Sequence, residues 1–356
     1  VILDLFAGPG GWDVGARSLG LDPLGVEWDD DACATRDAAG LRTLQADVAA
    51  LDPADFAPCE GLIASPPCQT FSSAGRHAGV RDAERVAACM ADLAAGRDTR
   101  AVHRDAITDS EEAGALFAFA TTDTRSLLVV EPLRFALALQ PRWIALEQVP
   151  PVLPLWDEMA RLLAGAGWLT WTGLVRADAF GVPQTRERAV LLAHAERRPQ
   201  APAETHQRWS KGRAAVQPAD AEGRLPWRSM AEACGWREAA MVGFPRRNDR
   251  TAGDGGAYRE RDLRRASEPA FHVTGKVRSW TRDGEMLTDA EASVLQGFPA
   301  DYPWQGSRSS RMLQLANAVP PPMARAILAA LVGDRGEAGW TDGAGARTRG
   351  ASPSSR

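Results

Sequence analysis

The sequence predicts an α/β fold, a mostly parallel sheet wrapped by helices, with a second, smaller and loop-rich domain beside it. Short apolar runs alternate with amphipathic segments through the first half, the pattern of parallel strands joined by helices. Glycines crowd the first junction between such a run and such a segment, at Gly8-Pro9-Gly10-Gly11. From Glu196 to about Arg282 the periodicity dissolves into Pro, Gly, Arg and scattered Trp. A chain of 356 residues has room for both parts, since single cores stop growing near ~250–300 residues.

Val1–Phe6 is a first strand already under way; it lacks the positive n-region and cleavage site of a secretory signal, and the missing initiator Met suggests a trimmed start. Trp12–Leu19 follows as a helix, Pro23–Glu27 as a strand ending on an acid, and Asp29–Ala39 as a helix closed by Gly40. Leu44–Asp47 and Gly61–Ser65 are the next strands, the second stopped by Pro66-Pro67. Leu127, Val130, Leu133 and Leu137 make a helical stripe over Arg125–Leu139. Trp143–Leu146, Leu169–Val175 and Ala189–Ala193 read as strands, Trp156–Ala164 as a helix, and Asp289–Gln296 and Pro322–Val332 as late helices. Phe71–Thr124 is Ala-rich with few large apolar residues, so it is expected to be helical in parts and poorly anchored to the core. Residues 334–356 are rich in Gly, Ser and Arg and are expected to be disordered. The resulting organisation is a main domain over 1–193, completed by 310–333, and a second domain with a hinge over 194–309.

Hydrophobic residues make up 45% and charged residues 24% of the chain, which is ordinary globular composition. Mean hydropathy is −0.26, and no stretch approaches the ~18 consecutive apolar residues of a membrane span. Cys33, Cys59, Cys68, Cys89 and Cys234 are odd in number with no C-x-x-C pair. That argues against a disulfide framework or zinc ribbon and for a reducing compartment, by default the cytoplasm. The five histidines have no ligand spacing, so no metal is expected. A net charge of −5 argues alone against a nucleic-acid partner. Its distribution argues the other way. Residues 196–283 carry 18 Lys and Arg against 12 Asp and Glu, a basic segment at +6 inside an acidic chain.

Gly8–Gly11 lies between a strand and a helix, where glycines let backbone approach a ligand. Glu27 ends the next strand, placed to accept from ribose hydroxyls, with Trp28 beside it as a stacking face and Asp47 ending the third strand. On their own these features fit a nicotinamide cofactor as well as S-adenosylmethionine. Cys68 stands apart from the other cysteines, which read as small buried hydrophobes. It follows two prolines at the carboxyl end of a strand, where open α/β sheets bind ligands, and a thiolate held there suits attack on an electron-poor ring carbon.

Asp4-Leu5-Phe6-Ala7-Gly8-Pro9-Gly10-Gly11, Pro66-Pro67-Cys68-Gln69, Glu147-Gln148-Val149, Gln184-Thr185-Arg186-Glu187-Arg188 and Asn317-Ala318-Val319-Pro320-Pro321, in that order, resemble the DNA (cytosine-5) methyltransferases. The resemblance runs from Val1 to about Ala193 and again from about Leu287 to Val332. It implies the Rossmann-like sheet of S-adenosylmethionine-dependent methyltransferases, with the segment between as the target-recognition region. By this resemblance Cys68 is the nucleophile that adds to carbon 6 of a flipped-out cytosine, making carbon 5 able to take a methyl group. Glu147 hydrogen-bonds and protonates ring N3. Arg186 and Arg188, two apart and so on one face, hold the cytosine O2 and nearby charge, with Gln184 orienting them. Water removes the carbon-5 proton. Phe6, Gly8, Gly10, Glu27, Trp28, Asp47, Pro67, Leu127 and Asn317 are implied around S-adenosylmethionine.

The implied partner is double-stranded DNA, with the chain acting as a monomeric bacterial or phage modification enzyme away from any membrane; a cognate restriction endonuclease is left open. Gln69, Ser72 and Arg76 would meet DNA from a closing loop, together with Gln184, Lys276 and Arg278; Gly75 and Gly79 would permit the motion. Arg246, Arg247, Arg250 and Arg282 are further candidates for reading bases. Two positions depart from the family pattern: Gln148 stands for the usual Asn, and Ala316 for the usual Gly. If the latter site needs positive φ, Ala316 is strained by ~1 kcal/mol. A transfer-RNA cytosine-5 methyltransferase on the same scaffold and a catalytically idle DNA-binding relative remain alternatives; the basic segment weighs against the first, Cys68 and Glu147 against the second.

Overall fold

A computed structural model of the chain describes residues 1–67, 71, 82–104, 124–212, 214, 216–244 and 263–333. The larger sheet contains β1 (Ile2–Leu5), β2 (Leu24–Glu27), β3 (Thr43–Gln45), β4 (Gly61–Ala64), β5 (Trp143–Gln148), β6 (Leu169–Arg176) and β7 (Glu187–His194). Their spatial order is β3-β2-β1-β4-β5-β7-β6. The first five strands pair in parallel, and β7 runs antiparallel to both β5 and β6. Chain order reverses between β1 and β4, so the carboxyl ends of those strands open a crevice at the switch point. Every residue of β4 and β5 is buried, as expected of strands covered on both faces.

The helices are α1 (Gly11–Arg17), α2 (Asp30–Ala38), α3 (Ala83–Ala94), α4 (Glu131–Leu139), α5 (Leu153–Gly165), α6 (Met230–Cys234), α7 (Asp289–Gln296), α8 (Arg308–Asn317) and α9 (Pro321–Val332). One face of the sheet packs α3, α4 and α5 around Leu3, Leu62, Ile144 and Trp156. The other packs α1 and α9 around Trp12, Ile63, Trp143 and Ile327. Val86, Cys89 and Met90 of α3 are fully buried, and so is Phe71. This part of the Ala-rich stretch is therefore anchored in the main core, contrary to expectation, because three well-spaced apolar residues suffice when the others are small. The expected helix over Arg125–Leu139 is split: a 3-10 segment covers Thr124–Val130, and α4 begins at Glu131 with Pro132 in its first turn.

A small antiparallel sheet, β11-β10-β8-β9, uses β8 (Met241–Gly243), β9 (Leu263–Arg265), β10 (Thr281–Arg282) and β11 (Glu285–Met286). Strands of two or three residues are too short for the alternation that reveals strands in a sequence. They pack in a third core with Trp236, Trp280, Leu295, Phe298, Trp304 and Leu315, which also touches Val14 of α1. Arg308–Val332 has the length and apolarity of a membrane span, which inspection of consecutive residues did not suggest. Ala318–Pro320 break it into α8 and α9, and most of it is packed in the core. The expected disordered tail, residues 334–356, lies outside the described residues.

Candidate active site

A cavity of about 320 Å3 opens at the carboxyl ends of β1, β2, β4 and β5. Phe6, Gly8, Glu27, Trp28, Pro67 and Asn317 all line it. Phe6 leaves β1 at φ 59, a left-handed conformation that non-glycine residues adopt at a cost and that recurs at ligand sites. Gly10 caps α1 at φ 102, where a side chain would also overlap Leu41. A Cβ on Gly11 would overlap the Val319 carbonyl, so the glycine turn and the Asn317–Pro321 segment fit only because that position is bare.

Glu27 accepts from the Gly8 N–H at 2.8 Å through Oε2, and from the Trp28 and Asp29 N–H groups at 2.8 and 2.9 Å through Oε1. It thus holds the glycine turn against the end of β2 as well as edging the cavity. Trp28 is 73% exposed, an open indole face beside a buried carboxylate. A carboxylate next to an open aromatic face fits the ribose and adenine of S-adenosylmethionine. Asp47 and Leu127 are placed elsewhere. They line a second cavity of about 270 Å3 with Arg100, Arg104 and Arg125. Asp47 caps the turn Val48–Ala50 through the Ala49 N–H at 2.9 Å, and Leu127 is core.

Glu147, near the end of β5, is 5% exposed. Its Oε1 lies 2.8 Å from Arg188 Nε, and its Oε2 accepts from the Ser65 hydroxyl at 3.0 Å. Ser65 in turn accepts from Trp12 Nε1 at 2.8 Å. Gln148 donates to the Pro66 carbonyl, so the residue in place of the usual Asn ties β5 to the proline turn. Arg186 and Arg188 are both buried, which rules out surface charges. Arg186 Nη1 donates to Ala316 O at 2.9 Å and to Val273 O at 3.2 Å. Arg186 Nη1 and Arg188 Nη2 each lie 3.1 Å from His272 Nε2. Burial first, then the positive charges of Arg186 and Arg188, pushes the His272 pKa down to about 2.

Two expectations need correction. Ala316 lies inside α8 at ordinary helical geometry, and among the described non-glycine residues only Phe6, Gln140 and Asp283 have positive φ. It carries no strain. Gln184 is fully buried: its amide donates to Leu295 O and Gln296 Oε1 and accepts from the Val273 N–H. It pins the junction between the two sheets, so it is committed to the protein rather than offered to a duplex.

Cys68, Gln69, Ser72, Arg76, Gly75, Gly79, Arg246, Arg247 and Arg250 lie outside the described residues. Pro67, which precedes Cys68, lines the same cavity as Glu147 and Arg188. Lys276 and Arg278 are exposed on the turn Gly275–Ser279, N-capped by Thr274. Arg282 is engaged within the protein, near Glu285 and Glu291 and over the Trp236 ring. Sequence reasoning missed Trp12, Ser65 and His272. The adjacency of Ser65 to the prolines was a signal; the other two are brought in by tertiary contacts alone. Among the described residues no group of three His, Cys, Asp or Glu is placed to hold a metal ion.

The profile of the C-5 cytosine-specific DNA methylases matches residues 1–91 and 113–333. Type II methyltransferase M.AplI of Arthrospira platensis is 29% identical over 353 residues, covering 92% of this chain and 84% of that one. Type II methyltransferase M.NlaX of Neisseria lactamica is 28% identical, covering 92% and 94%. Among solved structures, an E. coli prophage-encoded protein described as a DNA modification methyltransferase superposes with a TM-score of 0.58 at 17% identity, over 94% of this chain and 98% of that one. The Spodoptera frugiperda DNMT2 structure gives a TM-score of 0.55 at 14% identity, over 93% and 98%. At those identities the likeness speaks for the fold.

Proposed function

The chain belongs to the C-5 cytosine-specific DNA methylase family, and from that premise we propose how its own residues divide the work. The enzyme is an S-adenosylmethionine-dependent DNA (cytosine-5) methyltransferase. The observation that supports the assignment of roles is the Ser65–Glu147–Arg188 cluster opening on the cavity that Pro67 lines.

Cys68 adds to carbon 6 of a cytosine rotated out of the duplex. The sulfur–carbon bond forms as the ring's 5,6 double-bond electrons move toward N3, where Glu147 hydrogen-bonds and delivers a proton. Arg188, held by Glu147, meets the cytosine O2, and Arg186 supports it from the Ala316 carbonyl. S-adenosylmethionine supplies the electrophilic methyl group to carbon 5. Water then takes the carbon-5 proton, Glu147 takes back the N3 proton and the thiolate leaves, restoring the aromatic ring. Glu27, Trp28, Phe6 and Asn317 hold the cofactor, and the exposed Lys276 and Arg278 meet DNA. Unstacking the base costs a few kcal/mol, which these contacts offset. The enzyme acts as a cytoplasmic monomer, alongside a cognate endonuclease where the host encodes one.

Incubation with labelled S-adenosylmethionine and mixed-sequence duplex DNA is expected to label carbon 5 of cytosine, and Cys68→Ser to abolish it. DNA carrying 5-fluorocytosine is expected to leave an irreversible adduct on Cys68. Labelling that survives Cys68→Ser would overturn this assignment.

A further inference from the structure

Arg186 and Arg188 share a partner that comes from neither the large sheet nor its helices. His272 lies between Ala270, which bridges to Gln184, and the turn Gly275–Ser279 that bears Lys276 and Arg278. Its Nε2 is 3.1 Å from a guanidinium nitrogen of each arginine. Guanidinium groups only donate. Nε2 must therefore present its lone pair, which leaves the ring neutral with its single proton on Nδ1. An imidazolium here would set a third cation against two others. Among the described residues, the charged groups facing the ring are these two arginines.

Geometry also fixes the segment that carries the ring. Val273 donates its N–H to Gln184 at 2.9 Å and accepts from Arg186 at 3.2 Å. Two buried cations side by side repel each other; Glu147 offsets the charge of Arg188, and His272 adds a neutral acceptor that both guanidinium groups share. We propose that His272 is a positioning residue of the arginine pair, a neutral acceptor carried by the recognition part of the chain that sets the two guanidinium groups at the spacing needed to receive the target base. This rests on the reading that the arginines act on cytosine. It goes further by making assembly of the catalytic pair depend on the segment next to the recognition turn.

The test uses the full chain with His272→Ala and His272→Gln, since Gln can offer an acceptor oxygen at similar reach. His272→Ala is expected to lower kcat at least about tenfold and up to about a hundredfold, with KM for S-adenosylmethionine unchanged. His272→Gln is expected to recover most of that loss. Full activity in His272→Ala, or equal losses in both variants, overturns the proposal. A second measurement does not depend on turnover. Long-range 1H–15N spectra of the wild-type chain should contain one imidazole, absent from His272→Gln, that carries its proton on Nδ1 and does not titrate between about pH 5 and 8. A proton on Nε2, or titration in that range, overturns it as well. Absence of 5-methylcytosine from the wild-type reaction would refute the functional reading, while the spectra would still decide the state of His272.

Discussion

Arg188 Nε lies 2.8 Å from Glu147 Oε1, with the two side chains 5% and 6% exposed. Removing one member of such a pair strands the other as a buried charge, at about 3–5 kcal/mol. Arg188→Met and Glu147→Gln are each expected to lower unfolding free energy by that order, and the double variant to lose at least about 1 kcal/mol less than the sum. Urea unfolding of the four proteins checks this. Strict additivity would mean that the pair is not coupled.

Trp12 can only donate, so the single proton of Ser65 is committed to Glu147. Ser65→Ala is expected to slow adduct formation on 5-fluorocytosine DNA by about tenfold or more through misplacement of the carboxyl group. Ser65→Thr keeps the hydroxyl and much of the rate, and Trp12→Phe falls between them. Single-turnover trapping measures all three, and an unimpaired Ser65→Ala would remove Ser65 from the mechanism.

Asp4 is fully buried, with its carboxyl group beside that of Asp13. Burial first, then the charge of Asp13, raises its pKa well above that of a free carboxyl group. The protonated form suits the fold, so stability from this group is full below the unfolded pKa and is lost as pH rises through the folded one. Asp4→Asn, uncharged at every pH, is therefore expected to be more stable than wild type near neutrality by about 1–3 kcal/mol. The advantage should shrink as pH falls toward about 4. Thermal unfolding at both pH values tests the sign.

Burial raises the thiol pKa of Cys33 and of Cys89 to about 11 and that of Cys234 to about 12, and it raises that of Cys59. These four thiols should resist iodoacetamide at about pH 7.5, where their thiolate fractions are small. The wild-type protein is expected to take one label per chain and Cys68→Ser none. Peptide mapping that finds the label on Cys33 or Cys234 would contradict the assigned environments.

The parallel half of the fold was legible because apolar runs bounded by turn residues and amphipathic helices leave traces in the sequence; Ile2–Leu5, Leu24–Glu27 and Trp143–Gln148 lie within a residue or two of where the apolar runs put them. Phe6, Gly8, Glu27, Trp28, Pro67, Glu147, Arg186, Arg188 and Asn317 were legible as motifs and meet at one cavity. Asp47 and Leu127 were named by the same resemblance but line a second cavity, Asp47 turned to cap Val48–Ala50 and Leu127 packed in the core. The small sheet left no trace: its strands are two or three residues long and, unlike β3, lie outside any alternation of apolar runs and helices. His272 was invisible for a different reason: its role depends on two arginines more than eighty residues earlier in the chain. The depth of Val86, Cys89 and Met90 was hidden by the alanines around them.

Gly11 and the Val319 carbonyl touch across three hundred residues of chain, and the Tyr302 hydroxyl reaches the Pro9 carbonyl in the same way. The order of synthesis then matters. A ribosome that has finished the first two hundred residues has made the sheet but not the wall that closes the pocket behind Pro9 and Gly11. Chains terminated before Tyr302 should be inert however well their early strands pair, and a nascent polypeptide cannot begin modifying DNA until synthesis has passed Val319.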